Sequence, residues 1–72
     1  MRIVQKGQLA GEFNGWNGDA VFEFTNGNKW QQTRYKYKYK YKYRPYAKVL
    51  QDGSKYYLEV DCMDDTIEVR RL

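Results

Sequence analysis

The residues best suited to chemistry form a row of cations at every second position of one segment, alternating with tyrosines. The six cations are Arg34, Lys36, Lys38, Lys40, Lys42 and Arg44. Successive residues of a β-strand point to opposite faces, so the spacing predicts one cationic face and one aromatic face. Neighbouring cations would stand roughly 6.7 Å apart, about two nucleotide steps of one DNA strand. The row therefore predicts an anion-binding surface that follows a phosphate backbone without reading its sequence.

The aromatic face of the same strand allows two orientations. If the tyrosines point inward, their rings supply core area and the cations face solvent. If they point outward, Tyr37, Tyr39 and Tyr41 form a platform for stacked single-stranded bases, and other residues must hold the phosphates. Trp16, in a Gly/Asn-rich loop, is a further candidate contact, whereas Trp30 follows a hairpin turn and is expected to be buried.

Neutralisation inside the molecule is a third interpretation of the cationic row. Lysine on an edge strand guards against aggregation, and acidic residues on other strands could pair with the row. The candidates are Glu12, Glu23, Glu59, Asp61 and Glu68. A long strand with free backbone groups can also pair with another chain, such as a second copy. Two copies would crowd their lysine rows unless acids intervene.

Catalytic and metal-binding residues are scarce. The chain has no histidine, which excludes histidine-based acid–base relays and makes a zinc site very unfavourable. Cys62 lies beside Asp61 and near Asp64, which predicts a raised thiol pKa and a weak nucleophile. The acidic turn with Asp64 and Asp65 lacks the glycine and terminal glutamate of a calcium loop. We therefore predict a protein that is not an enzyme, with no metal and no cofactor.

Size and charge point to one small basic domain, predicted to span residues 1–72. The net charge is +4. Residues 25–51 hold eight of the 13 basic residues and none of the nine acidic ones. Such a split favours an anionic partner for the middle of the chain, or pairing between strands. No signal peptide or membrane-spanning run is visible, so we expect a cytoplasmic protein with a reduced cysteine.

Alternating apolar and polar residues, broken by turn sequences, define the expected elements. Asn26-Gly27 and Asp52-Gly53 are hairpin signals. They predict five to six antiparallel strands in an all-β, SH3-like or OB-like barrel with one long Tyr/Lys strand. Eleven residues, 34–44, would extend roughly 36 Å. Such a strand is too long for one side of a small barrel, so we expect it to bend or to project.

One stretch resembles a known group of proteins. It comprises Gly11-Glu12-Phe13-Asn14-Gly15-Trp16, then Phe22, then Asn26-Gly27-Asn28-Lys29-Trp30-Gln31-Gln32. The sequence is similar to short uncharacterised bacterial proteins that share a Phe…Asn-Gly-x-x-Trp-x-Gln hairpin and a small SH3-like β fold. The tyrosine-rich strand and the closing Ile-x-Val-x-Arg also resemble that group. The resemblance implies the fold and implies no activity.

These observations predict a non-catalytic binding module. Nucleic acid, held by its phosphate backbone on the Tyr/Lys strand, is the leading ligand. The alternatives are a protein–protein interaction module or a domain with no ligand on this strand. The protein partner would be an acidic protein or a second copy, and an inhibitor encoded by a mobile element would fit the size.

Overall fold

The computed structural model describes residues 2–72, so Met1, the first residue of the predicted domain, lies outside it. Eight strands follow one another along the chain. They are β1 (Arg2–Gln8), β2 (Glu12–Asn17), β3 (Val21–Glu23), β4 (Lys29–Gln32), β5 (Tyr37–Tyr43), β6 (Tyr46–Asp52), β7 (Lys55–Val60) and β8 (Thr66–Arg71). The all-β class is confirmed, although the expected count of five to six strands was too low. The predicted turns at Gly27 and Gly53 are present, each with a positive φ (95° and 63°).

The strands form two antiparallel sheets. The larger has the order β1-β6-β7-β8-β4-β3, and the smaller consists of β2 and β5 alone. The two edges of the larger sheet meet at an isolated bridge between Leu9 and Phe24. The Ala10 N–H donates to the Glu23 carbonyl oxygen beside this bridge, at 2.8 Å. The larger sheet is therefore curled, with its two edges in contact beside Leu9. The strands nevertheless form two separate sheets and not one closed barrel, so the predicted closed barrel is wrong.

Buried apolar residues from both sheets make one core. The members with under 2% exposure from the larger sheet include Val49, Leu58 and Val60. From β2, the rings of Phe13 and Trp16 pack edge to face, 5.7 Å apart. The Trp16 ring also meets the Phe22 ring from β3 at 5.8 Å. β2 is thereby fixed to the larger sheet by aromatic packing.

Trp16 is not an exposed contact, which corrects the expectation from its Gly/Asn-rich surroundings. Its exposed fraction is 1%. The expected loop is strand β2, and its register with β5 shifts between Phe13 and Gly15. Such a β-bulge breaks the strict alternation of faces. Phe13 and Trp16, three positions apart, can therefore both point into the core. Trp30 is buried as predicted, at 2% exposure.

The Tyr/Lys strand is shorter than predicted. β5 has seven residues, Tyr37–Tyr43, and residues 34–36 lead into it without strand geometry. The chain turns at Arg44, directly after the strand, where φ is 51°. Pro45 follows and is buried, and β6 begins at the next residue.

Candidate functional site

β2 determines which face of β5 is turned toward the protein. Phe13 lies opposite Lys42, and Trp16 lies opposite Lys38. Directly paired residues of an antiparallel ladder share a face. Because the two β2 rings enter the core, Lys38 and Lys42 lie on the inner side of the two-stranded sheet. The tyrosines are left on its outer side.

Gly15 allows β2 and β5 to approach closely. Its φ is 90°, a conformation that favours glycine. A Cβ atom at this position would collide with the Lys38 carbonyl oxygen and lie 2.8 Å from the Lys40 nitrogen. Only a residue without a side chain fits, so this glycine is part of the support of the candidate surface.

The outer face of β5 carries four exposed tyrosines, which we call the tyrosine ladder: Tyr37, Tyr39, Tyr41 and Tyr43. Their exposed fractions run from 51% for Tyr41 to 77% for Tyr39. The Tyr35 ring, which precedes the strand, meets the Tyr37 ring edge to face at 5.4 Å. None of these rings belongs to the core, so the inward orientation considered from the sequence does not occur.

One ladder hydroxyl is tied to the neighbouring strand. The Tyr41 hydroxyl donates to Glu12 Oε1 at 3.5 Å. Partial burial, followed by the charge of the Glu12 carboxylate, raises the pKa of Tyr41 above its usual value. This hydroxyl therefore stays protonated across the neutral pH range.

Most of the cationic row is paired within the molecule. The ion pairs are Arg34 with Glu68 (3.3 Å), Lys36 with Asp65 (2.5 Å), Lys38 with Asp64 (2.5 Å) and Lys42 with Asp61 (3.8 Å). Among residues 2–72, Lys40 and Arg44 have no carboxylate within 4.0 Å. Each of these exposed pairs contributes little to stability, because solvent screens its charges. Together they nevertheless occupy four of the six cations that the sequence singled out.

The turn between β7 and β8 supplies three of the four carboxylates. Asp61 is among the acids that the sequence offered as partners of the row, whereas Asp64 and Asp65 are not. Asp65 is half-buried, and its Oδ1 accepts a hydrogen bond from Trp16 Nε1 at 3.1 Å. Burial alone would raise the pKa of Asp65, but hydrogen bonds from Lys36 and Trp16 hold it below its usual value. The turn is thus a structural support for β5.

A buried glutamine anchors the start of β5. The Gln32 side chain is 3% exposed. Its Nε2 donates to the carbonyl oxygens of Arg34 (2.7 Å) and Lys36 (3.2 Å). Its Oε1 accepts the Asn17 backbone N–H at 3.3 Å. Gln32, Gly15 and Asp65 are positioning residues that the sequence did not reveal, because each acts across a tertiary contact.

The remaining reactive groups do not converge. Burial, followed by the charge of Asp61, raises the pKa of the Cys62 thiol, in the direction expected from the sequence. Within residues 2–72, no three carboxylate or thiol side chains are grouped to hold a metal ion. An open groove elsewhere, on β1, β6 and β7, is lined by residues including Tyr46, Lys48 and Glu59. Its charges are locally balanced, since Lys48 pairs with Glu59 at 3.8 Å.

Comparison with known proteins finds no matching family model, no similar curated protein and no similar solved structure. No helix in the described part of the chain has the length and apolar character needed to cross a membrane. The outer face of β5 presents the largest group of exposed aromatic side chains in residues 2–72.

Proposed function

We propose that this protein is a non-catalytic module that binds single-stranded nucleic acid on the tyrosine ladder. The observation that carries the proposal is the exposure of Tyr37, Tyr39, Tyr41 and Tyr43 on one face of one strand. Every base has a π-face, so aromatic rings stack with bases regardless of sequence, at about 1–3 kcal/mol for each base. The ladder therefore offers affinity without sequence specificity.

The spacing of the ladder favours single strands over duplexes. Alternate residues on a strand stand roughly 6.7 Å apart, about twice the 3.4 Å rise per nucleotide in stacked DNA. Successive bases reach successive rings only when the strand is stretched and unstacked. A single strand can adopt that form at low cost, whereas a duplex must first lose its base pairs.

Lys40 and Arg44 are the cations that we assign to the phosphates, although Lys40 starts on the face opposite the tyrosine ladder and must reach them around the edge of β5. They are the members of the row without a carboxylate within 4.0 Å among the described residues, and the net charge of +4 favours approach of a polyanion. The four ion pairs weaken the hypothesis that the whole row follows a phosphate backbone. The two versions differ in salt dependence. For a single strand, two cations give a log–log salt slope of about −1.4, and six give about −4.

We also propose a fold class and a cellular location for this protein. We assign the curled larger sheet, with its edges meeting at Leu9 and Phe24, to the SH3-like or OB-like small β folds. OB folds bind oligonucleotides on a strand face, which agrees with the position of the ladder. We also propose that the chain is bacterial and works in the cytoplasm, in line with the sequence resemblance.

Fluorescence anisotropy with labelled oligonucleotides tests the proposal. The probes are single-stranded DNA, single-stranded RNA and duplex DNA, each at two salt concentrations. The single strands should bind at least about tenfold more tightly than the duplex. The double substitution Tyr37→Ser with Tyr39→Ser should weaken binding by about 30-fold or more, since each stacked ring contributes about 1–3 kcal/mol. Tyr39→Phe should bind within about threefold of the natural chain, because stacking uses the ring and not the hydroxyl.

Tyr46→Ser is the matched control. Tyr46 has a similar exposure, 64%, but lies on β6 and outside the ladder. Its replacement should leave affinity unchanged. The proposal is overturned if no single strand binds at low salt, or if the ladder variant and the Tyr46 control behave alike.

A protein partner is the second candidate function, and the area of the aromatic face favours it. At about 200 Å² for a whole tyrosine, the exposed parts of Tyr35 and the ladder amount to on the order of 700 Å². A standard interface buries about 800 Å² on each partner, and tyrosine is enriched at such surfaces. An acidic protein would fit the charge of residues 25–51. Loss of nucleic-acid binding with retention of the fold would leave this candidate in place.

A further inference from the structure

The edge of β5 that faces away from β2 is open. β5 has β2 as its only neighbour in the two-stranded sheet, within residues 2–72. Its seven residues contain no proline, and their side chains are all exposed. Open edges of this kind are templates for pairing with another strand. We propose that β5 pairs antiparallel, edge to edge, with β5 of a second copy of this chain, which joins two ribbons into a four-stranded sheet.

The backbone groups that would make this pairing can be identified. Tyr39 lies opposite Gly15, and the Lys38 carbonyl oxygen and Lys40 nitrogen are the atoms nearest the Cβ position of Gly15. These two groups therefore point toward β2. In an antiparallel ladder, adjacent residues direct their N–H and C=O groups to opposite edges. The N–H and C=O groups of Tyr37 and Tyr39 consequently lie on the open edge.

The charge distribution on the inner face removes the main obstacle to self-pairing. Antiparallel pairing of β5 with its own copy places tyrosine opposite tyrosine on one face and lysine opposite lysine on the other. Uncompensated lysine rows would repel each other. Here Asp64 lies 2.5 Å from Lys38 Nζ, and Asp61 lies 3.8 Å from Lys42 Nζ. Each copy thus brings its own counter-charges, and Lys40 is the remaining uncompensated lysine of the strand.

The tyrosines on the outer face of β5 also favour a second copy of this chain as the partner of the open edge. Facing aromatic side chains on neighbouring strands stabilise a sheet, and a second β5 supplies tyrosines at matching positions. The result would be one aromatic face continuous across both copies. This inference does not depend on the proposed nucleic-acid binding, because pairing is expected in the absence of any ligand.

Sedimentation equilibrium of the full chain without nucleic acid tests the pairing, over about 5–500 μM. The apparent mass should rise toward twice that of the monomer as concentration increases. Two substitutions then distinguish the contribution of the backbone N–H group on the open edge from the contribution of the aromatic ring. Tyr39→Pro removes the ring and the edge N–H, and proline is tolerated where that N–H faces outward. Tyr39→Thr removes the ring alone. The proline variant should associate at least about tenfold more weakly than the threonine variant.

Amide hydrogen exchange of the natural chain gives a readout that does not require a folded variant. Exchange at Tyr37 and Tyr39 should slow as the concentration rises, because pairing covers their N–H groups. The Lys38 amide, directed to β2, should be protected at every concentration. A chain that stays monomeric throughout, or a dimer that forms while Tyr39 exchange is unchanged, would overturn the inference.

Discussion

β7 and β5 are strands of similar length and similar alternation, yet the protein uses them in opposite ways. β7 directs Leu58 and Val60 into the core, each with 0% exposure. β5 alternates just as strictly and buries none of its side chains. Alternation of residue types along a strand gives the strand two different faces. The residue types themselves decide whether either face is buried. Tyrosine and lysine both have polar ends, so neither face of β5 gains enough from full burial.

The difference separates the fold from the candidate binding surface. The larger sheet and the rings of β2 form the core. In contrast, β5 is attached by backbone pairing with β2 and by ion pairs to the turn between β7 and β8. Substitutions in the core should therefore affect stability, and substitutions on the ladder should affect binding.

Leu58→Ala should be the most destabilising of these changes. In the larger sheet, Leu58 pairs with Val49 of β6 on one side and with Ile67 of β8 on the other. Removal of its buried methyl groups should cost about 2–5 kcal/mol of unfolding free energy. Urea denaturation followed by tryptophan fluorescence measures this loss. A cost under about 1 kcal/mol would show that the larger sheet is not the core of the protein.

Gly15→Ala should be next, at about 2–4 kcal/mol, from an unfavourable positive φ and a collision with the β5 backbone. Gly27→Ala is the matched control. Gly27 has a φ of 95° but nothing within 4 Å of its Cβ position, so the expected cost is the conformational part, about 1–2 kcal/mol. Equal losses in urea denaturation would mean that the close approach of β2 and β5 does not contribute.

Asp65→Asn should reduce stability by about 1 kcal/mol at neutral pH, since it removes an ion pair and weakens the hydrogen bond from Trp16. The folded-state pKa of Asp65 is lowered. Its contribution is therefore complete above the unfolded pKa of about 3.9 and is lost as pH falls through the folded value. Urea midpoints should converge for variant and natural chain as pH falls below the folded-state pKa of Asp65. A constant difference across pH would contradict this assignment.

Tyr39→Ser should have the smallest effect on stability, within about 0.5 kcal/mol, because its ring is 77% exposed. The same substitution should weaken binding of single-stranded oligonucleotides by about fivefold or more. Thermal unfolding and anisotropy on one preparation measure both quantities. A large loss of stability would place the ladder in the folding core and remove the separation between the two strands.

Sequence reasoning succeeded where the determinants are local. Asn26-Gly27 and Asp52-Gly53 form the expected turns, and Trp30 is buried as predicted. β1 was missed because its residues do not alternate cleanly, and Ile3 and Val4 remain exposed beside a register shift. Trp16 was misplaced because a bulge changes which residues share a face. The partners Asp64 and Asp65 required knowledge of which turn lies beneath β5, which is a tertiary property.

The repetitive composition of β5 leaves its alignment against β2 to be fixed from outside the strand. The Gln32 side chain and the Arg44-Pro45 corner fix it. A Tyr-Lys repeat is identical to itself after a slip of two residues, so its interior cannot distinguish one alignment against β2 from the next. A slip of one residue would exchange every tyrosine for a lysine on the outer face. The Gln32 hydrogen bonds to Arg34 and Lys36 fix one end, and the bond from the Arg44 N–H to the Gly11 carbonyl oxygen fixes the other. The alignment of the repeat is thus encoded outside it, and changes at these two anchors should permit slippage without altering the composition of the strand.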